Sequence, residues 1–293
     1  MKKIIVIAGP TAVGKTALSI QLAHRFCGEI ISGDSMQIYR KLDIGTAKVT
    51  EAEKEGIVHH LIDICELNEP YTVADFQRQA RQKIEEISQR GKLPIVVGGT
   101  GLYLQSLLYD YRFGTTDETD HSVRQKYENY AENYGKAALY ALLKEKDPLA
   151  ADKIHMNNQR RVIRALEVME TSGHSILAPE EIPDRLYDAF LIGLKCDRQL
   201  LYQRINQRVD QMLAAGLIKE AELIRDYPDV QAAHGIGYKE FLPYFTDQQS
   251  LEETADLIKR NSRHYAKRQF TWFFNRMRFD WYDLLADPKA QGQ

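Results

Sequence analysis

The sequence predicts an α/β fold in which helices flank a parallel sheet, with an all-helical insertion domain. Three observations predict this fold. Short apolar runs alternate with helical patterns through the first third of the chain of 293 residues. A stretch at 113–188 is rich in charged residues and helix formers and has few β-branched runs. An apolar run at 190–195 then resumes the strand pattern, so the core domain is placed at 1–112 and 189–293.

The individual elements follow from hydrophobic periodicity and from capping residues. Strands are predicted at 4–8, 29–34, 93–97 and 190–195. The helix at 72–90 is expected to open with a capping pair of Thr72 and Asp75, and the helix at 201–215 to end at Gly216. Further helices are predicted at 15–26, 123–134, 136–146, 159–171 and 218–225.

Composition excludes several classes of protein. The formal net charge of -2 argues against a molecule that is basic over its whole surface, although a local basic patch is compatible with it. The three cysteines are far apart and form no CxxC or Cys/His cluster, which favours a reducing compartment and disfavours structural zinc. The adjacent pair His59-His60 is interpreted as packing or surface rather than as a metal site. We expect a cytoplasmic monomer with no secretory signal and no membrane association.

One octet near the N-terminus predicts a phosphate-binding loop. It follows a predicted strand and opens a predicted helix, the context in which such a loop binds phosphate through backbone N–H groups and the helix dipole. Lys15 adds a positive charge, and the Thr16 hydroxyl is a candidate ligand for Mg²⁺. The predicted diphosphate-binding residues are Gly9, Pro10, Thr11, Ala12, Val13, Gly14, Lys15 and Thr16.

Two further polar segments follow predicted strands. Asp34 is a candidate general base or Mg²⁺ ligand, and equally a helix N-cap. Thr100 lies within Gly98-Gly99-Thr100-Gly101, where glycine lets backbone approach a ligand closely. Because the carboxyl ends of parallel strands meet at one edge of a sheet, we expect both residues beside the phosphate-binding loop.

Arginine and aromatic residues suggest anion and RNA binding. Arg204 and Arg208 are four residues apart on one predicted helix, so they either clamp phosphate oxygens or form ion pairs with Asp210 and Glu220. The segment between Asp256 and Asp280 carries no acidic residue, and its cations alternate with aromatic residues. This mixture favours RNA over a merely solvated helix face. The cations are Lys259, Arg260, Arg263, Lys267, Arg268, Arg276 and Arg278.

Several segments together resemble the bacterial tRNA dimethylallyltransferases, also called tRNA isopentenyltransferases. The resemblance extends over nearly the whole chain, and the order and spacing of the segments make it specific. The matching segments are GPTAVGKT (9–16), ISGDSMQIY (31–39), DIGTAK (43–48), HHLID (59–63), VGGTGLY (97–103), NQRRVIRALE (158–167), RINQRVDQML (204–213), GIGYKE (235–240) and KRQFTW (267–272).

The resemblance implies a P-loop kinase-like core and an insertion that closes over the tRNA anticodon stem-loop. The implied reaction moves a dimethylallyl group from dimethylallyl diphosphate to the exocyclic amine of the adenosine 3′-adjacent to the anticodon, with Mg²⁺ as cofactor. Implied catalytic residues are Asp34 as base, Thr100 and Arg208. Implied tRNA contacts are Asp34, Ser35, Met36, Gln37, Thr100, Arg124, Gln159, Arg160, Arg161, Val162, Ile163, Gly237, Tyr238, Lys239, Lys267, Arg268, Gln269 and Trp272.

The residues taken alone leave two other functions open. A small-molecule or nucleoside kinase would use ATP at the same loop, although it gives no reason for the basic, aromatic C-terminal segment. A non-catalytic RNA-binding module would bind RNA independently of diphosphate and would tolerate loss of Asp34.

Overall fold

The chain folds into two compact units, which are described separately. A computed structural model describes residues 1–109, 122–177, 185–284 and 286. One unit is Met1–Tyr111 with Asp184–Gln293, and the other is Arg112–Pro183. The sequence placed residues 185–188 in the insertion, which is wrong. Leu186 N donates to Leu108 O at 3.0 Å and Asp188 N to Lys2 O at 2.9 Å, so this segment is hydrogen-bonded into the core.

The first unit contains a parallel sheet. Its strands are β1 (Lys3–Ala8), β2 (Gly28–Ser32), β3 (His59–His60), β4 (Leu93–Gly98), β5 (Asp188–Leu194) and β6 (Asp280–Tyr282). Within the part of the chain that the structure describes, these six pair in the order β3-β2-β4-β1-β5-β6, and every pair is parallel. The predicted α/β class is confirmed, whereas β3 and β6 were missed because runs of two and three residues are too short for periodicity to detect.

Helices cover the sheet and build the second unit. They are α1 (Lys15–Arg25), α2 (Glu51–Lys54), α3 (Val73–Gln89), α4 (Gly101–Leu108), α5 (Ser122–Lys146), α6 (Pro148–Lys153), α7 (Gln159–Ser172), α8 (Arg198–Ala214), α9 (Leu217–Arg225), α10 (Leu242–Phe245) and α11 (Leu251–Arg276). None of the helices in the described ranges is long and apolar enough to cross a membrane.

Local sequence explains where the main helices begin and break. The predicted capping pair is present at α3, where the Thr72 side chain accepts from Asp75 N and the Asp75 carboxylate accepts from Thr72 N. Ser250 and Glu253 form the same capping box at α11. Within α5, Gly135 has φ 81° and ψ 165° and interrupts the helical backbone, at the point where the sequence predicted two helices.

The central strands β1, β2 and β4 are largely buried on both faces, as expected for a parallel sheet, whereas the edge strand β6 is partly exposed. Along β1, Ile4 and Val6 pack into one apolar cluster, whereas Ile7 packs into another with Val13 and Ile20. This two-sided packing holds the strands in place, so the loops that follow β1, β2 and β4 begin from a well-packed edge of the sheet. The insertion has an apolar core of its own, which includes Tyr127, Leu143, Val162, Ile163 and Leu166.

A buried carboxylate lies on β2, beside the edge strand β3. Glu29 on β2 accepts from His60 Nε2 on β3 at 2.7 Å and forms ion pairs with Arg90 Nη2 at 2.7 Å and Lys92 Nζ at 2.9 Å. Burial tends to raise the pKa of Glu29, but the hydrogen bonds from these three side chains outweigh it and lower the pKa to about 2. The His59-His60 segment therefore has a structural role in sheet packing.

Candidate functional site

The loop after β1 has the backbone geometry of an anion-binding turn. Gly9 has φ +155°, and a Cβ at this position would lie 2.8 Å from Leu194 O, so any side chain would clash with the neighbouring strand. Gly14 has φ +105° and directly precedes α1. No side chain of the described residues caps α1, so the N–H groups of its first turn are available to a ligand.

The lysine of the loop is held by carbonyl groups. Lys15 Nζ donates to Gly9 O at 3.0 Å and to Pro10 O at 2.8 Å. Burial lowers the pKa of Lys15 to about 8, while the Asp34 charge raises the pKa and the Arg208 charge lowers it. These interactions place an ammonium, a guanidinium and a carboxylate within electrostatic reach of one another at one end of the sheet.

Asp34 shows the hydrogen bonds of the capping role that the sequence left open, and it remains available for the other role. Its Oδ1 accepts from Met36 N at 2.9 Å and from Gln37 N at 3.4 Å, as a capping carboxylate does. A turn follows rather than a regular helix. Both bonds go to Oδ1, so Oδ2 keeps its lone pairs for a donor on a ligand. These two hydrogen bonds therefore orient the carboxylate and leave Oδ2 able to accept a further hydrogen bond.

Thr100 joins the loop after β4 to the loop after β2. Thr100 N donates to Gly33 O at 3.4 Å, and Ser35 N donates to Thr100 Oγ1 at 3.2 Å. The Thr100 hydroxyl in turn donates to Ser35 Oγ at 3.4 Å. The expected meeting of Asp34, Thr100 and the phosphate-binding loop at one sheet edge is thus observed in the first unit.

Both arginines of α8 contact the phosphate-binding loop. Arg204 Nε donates to Ala12 O at 2.8 Å, and Arg208 Nη1 lies 3.5 Å from Thr11 Oγ1. Burial lowers the pKa of Arg208, and the nearby Asp34 charge raises it. The sequence left open whether these arginines clamp phosphate oxygens or form ion pairs with acidic residues. Their contacts with the loop fit the first role.

The acidic residues that could have paired with those arginines have other partners. Asp210 pairs with Lys259 at 2.6 Å. Glu220 is buried and accepts from the backbone N–H groups of Asp43, Ile44 and Gly45 at 2.7–2.8 Å. Glu220 therefore holds the 43–45 turn, a role that no sequence motif indicated.

The C-terminal helix α11 closes one side of the site. Gln269 is only 5% exposed and bonds to both neighbouring loops, because its Oε1 accepts from Thr11 N and its Nε2 donates to Gly99 O, both at 3.0 Å. The Tyr265 hydroxyl interacts with the Thr100 and Gln269 side chains, and burial raises the pKa of Tyr265 to about 12. Sequence reasoning missed both roles, although their four-residue spacing places them on one helix face.

The outer side of α11 is a basic groove. Lys267 and Arg268 are exposed, and Arg276 stacks over the Trp272 ring with 5.7 Å between the guanidinium carbon and the ring centroid. The groove has a volume of about 630 Å³. It is lined by His264, Lys267, Arg268, Thr271, Trp272, Asn275 and Arg276.

Several residues predicted to contact RNA have buried side chains. Val162 and Ile163 are 1% and 4% exposed and pack into the core of the insertion. Their contact with RNA stays a prediction. Tyr238 is 3% exposed and donates to Glu220 Oε1 at 2.7 Å, and the buried Gly237 donates its N–H to Glu240. Gln269 is also buried, as described above. At these five positions the structure shows packing or hydrogen bonds within the protein, and their contacts with RNA stay predictions.

The remaining predicted RNA contacts stay predictions. Gln37 is bonded within the core, since its Oε1 accepts from Ser32 Oγ and its Nε2 donates to Thr46 O and Ala47 O. Ser35 and Met36 are half-buried beside Asp34. The exposed side chains are Arg124, Gln159, Arg160 and Arg161 in the insertion and Lys239, Lys267 and Arg268 in the core.

The sequence is similar to those of known proteins. The IPP transferase family matches residues 37–276. The tRNA dimethylallyltransferase of Enterococcus faecalis is 61% identical, over 98% of this chain and 94% of that protein. The tRNA dimethylallyltransferase of Latilactobacillus sakei is 55% identical, over 99% of this chain and 94% of that protein.

Solved structures are similar over the full chain. A tRNA isopentenylpyrophosphate transferase from Bacillus halodurans is 46% identical with a TM-score of 0.75, covering 99% of this chain and 93% of that one. A eukaryotic dimethylallyltransferase acting on tRNA is 34% identical with a TM-score of 0.85, covering all of this chain and 77% of that one.

Proposed function

Since this chain belongs to the IPP transferase family, we propose that the site formed by the phosphate-binding loop, Asp34 and Thr100 performs the prenyl transfer to tRNA for which its relatives are named. The chain is an enzyme that transfers a dimethylallyl group to tRNA. What we propose beyond this is the donor, the acceptor atom and the role of each residue. The proposed donor is dimethylallyl diphosphate, and the proposed acceptor is the exocyclic amine of the adenosine 3′-adjacent to the anticodon.

One observation carries the assignment of the site. The carboxylate of Asp34 lies within electrostatic reach of Lys15 and Arg208, which both belong to the anion-binding side of the cleft. A general base and a leaving-group site are thus adjacent, yet they belong to different loops. This separation suits a reaction in which a nucleophile loses a proton at one end while an anion departs at the other.

The proposed step balances without an added oxidant or reductant. The adenine nitrogen forms a bond to the allylic carbon as the carbon–oxygen bond to diphosphate breaks, and the bonding electron pair leaves with the diphosphate. The N–H groups of the loop, Lys15 and Arg208 stabilise the charge that develops on this leaving group. Asp34 accepts the proton that the amine loses. Thr100, which is hydrogen-bonded to the Asp34 loop, is placed to orient the amine or the diphosphate.

The residues present fit a magnesium ion that is held mainly by its substrate. The described residues contain no cluster of three or more His, Cys, Asp or Glu that could hold a metal by itself. Thr16 lies exposed on the first turn of α1, where its hydroxyl would be the protein ligand, and diphosphate oxygens and water would complete the octahedron that Mg²⁺ prefers. The ion would neutralise charge on the leaving diphosphate.

Two sets of exposed residues are proposed to bind the tRNA. On the core, the groove along α11 offers the cations Lys267 and Arg268 beside the Trp272 ring, a combination that suits phosphates and unstacked bases. On the insertion, Gln159, Arg160 and Arg161 form the exposed start of α7. The target adenosine must leave its stack to reach Asp34, as in other enzymes that modify bases.

The decisive experiment combines the purified protein with dimethylallyl diphosphate, Mg²⁺ and unmodified tRNA, followed by mass analysis of the nucleosides. We expect isopentenyl-adenosine at the position 3′ to the anticodon and release of diphosphate. Lys15→Met in the same reaction should form far less product, because the leaving group loses its ammonium partner. Consumption of ATP without a modified nucleoside would support a kinase instead. tRNA binding that is independent of diphosphate, with no product, would support a non-catalytic module.

A further inference from the structure

The most unusual contact in the first unit is made by the side chain of Gln269. It projects from α11, whose opposite side is basic and exposed, yet it is itself 5% exposed. Its amide bonds to two loops that are far from it in sequence, since Thr11 N donates to Oε1 and Nε2 donates to Gly99 O. A primary amide provides one acceptor and one donor side in a fixed plane, so a single group satisfies both loops.

We propose that Gln269 is a positioning residue that fixes the phosphate-binding loop and the Thr100 turn relative to each other. The inference rests on the proposed function of those two loops. Thr11 belongs to the loop that receives diphosphate, and Gly99 directly precedes Thr100. The pairing of β1 with β4 already brings the two loops together, and the Gln269 side chain further constrains the distance between the leaving group and the residues around the acceptor amine.

The surrounding residues are shaped for this contact. A Cβ added to Gly99 would lie 2.1 Å from Gln269 Nε2, and a Cβ added to Gly101 would lie 2.1 Å from Trp272 Cδ1. A side chain at Gly99 would displace the end of the Gln269 amide, and one at Gly101 would collide with the Trp272 ring, so glycine at both positions preserves these contacts. The Tyr265 side chain also contacts those of Gln269 and Thr100. Three residues of α11, one and two turns apart, thus meet the Thr100 turn.

The same contact assigns a role to the Thr11 amide. In an anion-binding loop each N–H is a potential ligand of the phosphate oxygens. The Thr11 N–H is already satisfied by Gln269, so it supports the loop and does not bind the diphosphate. The diphosphate is therefore bound by the amides that follow Thr11, by the first turn of α1 and by Lys15.

The first test uses the wild-type protein without any substitution. Amide hydrogen exchange is measured by NMR with and without inorganic diphosphate and Mg²⁺. We expect the Thr11 amide to exchange slowly in the free protein and to be unchanged by the ligand, whereas the amides of Gly14 and Lys15 gain protection. Rapid exchange of Thr11 in the free protein, or protection that appears only with diphosphate, would overturn the proposal.

The second test is a pair of substitutions of similar size. Gln269→Met removes both hydrogen bonds, and we expect kcat to fall about 100-fold, the loss that roughly 1 Å of misplacement causes, while KM for tRNA changes less than threefold. Gln269→Glu keeps an acceptor for Thr11 N but loses the donor to Gly99 O. It should retain slow exchange at Thr11 and still lose kcat. Gln248→Met, an exposed position in a loop, serves as the matched control and should keep the wild-type rate.

Other outcomes separate this inference from its alternatives. A raised KM for tRNA with unchanged kcat would mean that Gln269 contacts RNA, and the proposal would fail. An unchanged kcat per folded molecule, with only the melting temperature lowered, would mean that the residue merely packs, and it would fail likewise. If the wild type forms no product, the proposed function fails, while the exchange of Thr11 still decides whether the contact exists.

Discussion

The lowered pKa of Lys15 predicts how diphosphate binding depends on pH. In the free protein burial lowers its pKa to about 8, against an ordinary value of 10.5, because desolvation disfavours the ammonium. A bound diphosphate stabilises the ammonium and raises the pKa again. Binding therefore requires uptake of a proton wherever the free lysine is neutral, and affinity must fall as pH rises through 8.

The magnitude follows from the pKa of the free protein. If only the protonated form binds, the apparent dissociation constant rises with the fraction of neutral lysine. The expected weakening relative to pH 6 is about twofold at pH 8 and about elevenfold at pH 9, with about half a proton taken up per ligand at pH 8. Asp34 opposes this effect and Arg208 reinforces it, and Tyr265, with a pKa of about 12, stays neutral over the whole range.

Isothermal titration with inorganic diphosphate and Mg²⁺ between pH 6 and pH 9 measures this dependence. Two buffers of different ionisation enthalpy at each pH give the number of protons taken up. Lys15→Arg is the matched control, because a guanidinium keeps its charge across this range, so the ratio of the wild-type and Lys15→Arg dissociation constants removes the titration of diphosphate itself. A ratio that does not change with pH, with equal proton uptake by both proteins at pH 8, would refute the reasoning.

The other predictions concern the base, the RNA surface and the sheet. Asp34→Asn retains an Oδ1 acceptor for Met36 N, so kcat should fall by about 10²–10⁴-fold while tRNA affinity, measured by filter binding, stays within about twofold; a near-normal kcat would remove Asp34 as the base. The double substitution Lys267→Ala with Arg268→Ala should weaken tRNA binding and reduce the salt slope by about 1.5, and an unchanged slope would place these cations away from phosphates. Glu29→Gln should lower the free energy of unfolding at pH 7 by about 2 kcal/mol, because Arg90 and Lys92 lose their anionic partner and His60 loses a charged hydrogen-bond acceptor. Since the pKa of Glu29 is lowered to about 2, this contribution is complete above about pH 4.5 and is lost as pH falls towards 2. Equal free energies of unfolding for the wild type and Glu29→Gln at pH 7, measured by denaturant titration, would contradict the prediction.

Local chemistry explains why much of the fold could be predicted. The capping box at Thr72, the break at Gly135 and the phosphate-binding loop each depend on neighbours within a few residues, so the sequence carries the full signal. The strand β6 and the residues 185–188 could not be predicted in this way. Both are defined by hydrogen bonds to segments that are distant in the chain, and their own sequences are too short or too mixed to show periodicity.

In the candidate site, too, the sequence predicted some properties of single residues, whereas others depended on packing. Spacing placed Arg204 and Arg208 on one helix face, but it left open whether that face meets the loop or solvent. Motif membership suggested that Gln269 and Tyr238 bind RNA, whereas packing buries both. A motif reports that a segment is constrained, and it does not tell whether the constraint comes from a ligand or from the protein core.

The sequence by itself determined the α/β class, the loop that we propose binds diphosphate and the identity of the charged residues, because these depend on local backbone preference and on side-chain chemistry. Only the tertiary structure decided which groups meet. The parallel sheet brings the ends of β1, β2 and β4 to one edge, and α11 places the Gln269 amide between two of the loops found there. Contacts between residues more than 150 positions apart arise from packing of the whole unit, which no short stretch of sequence encodes.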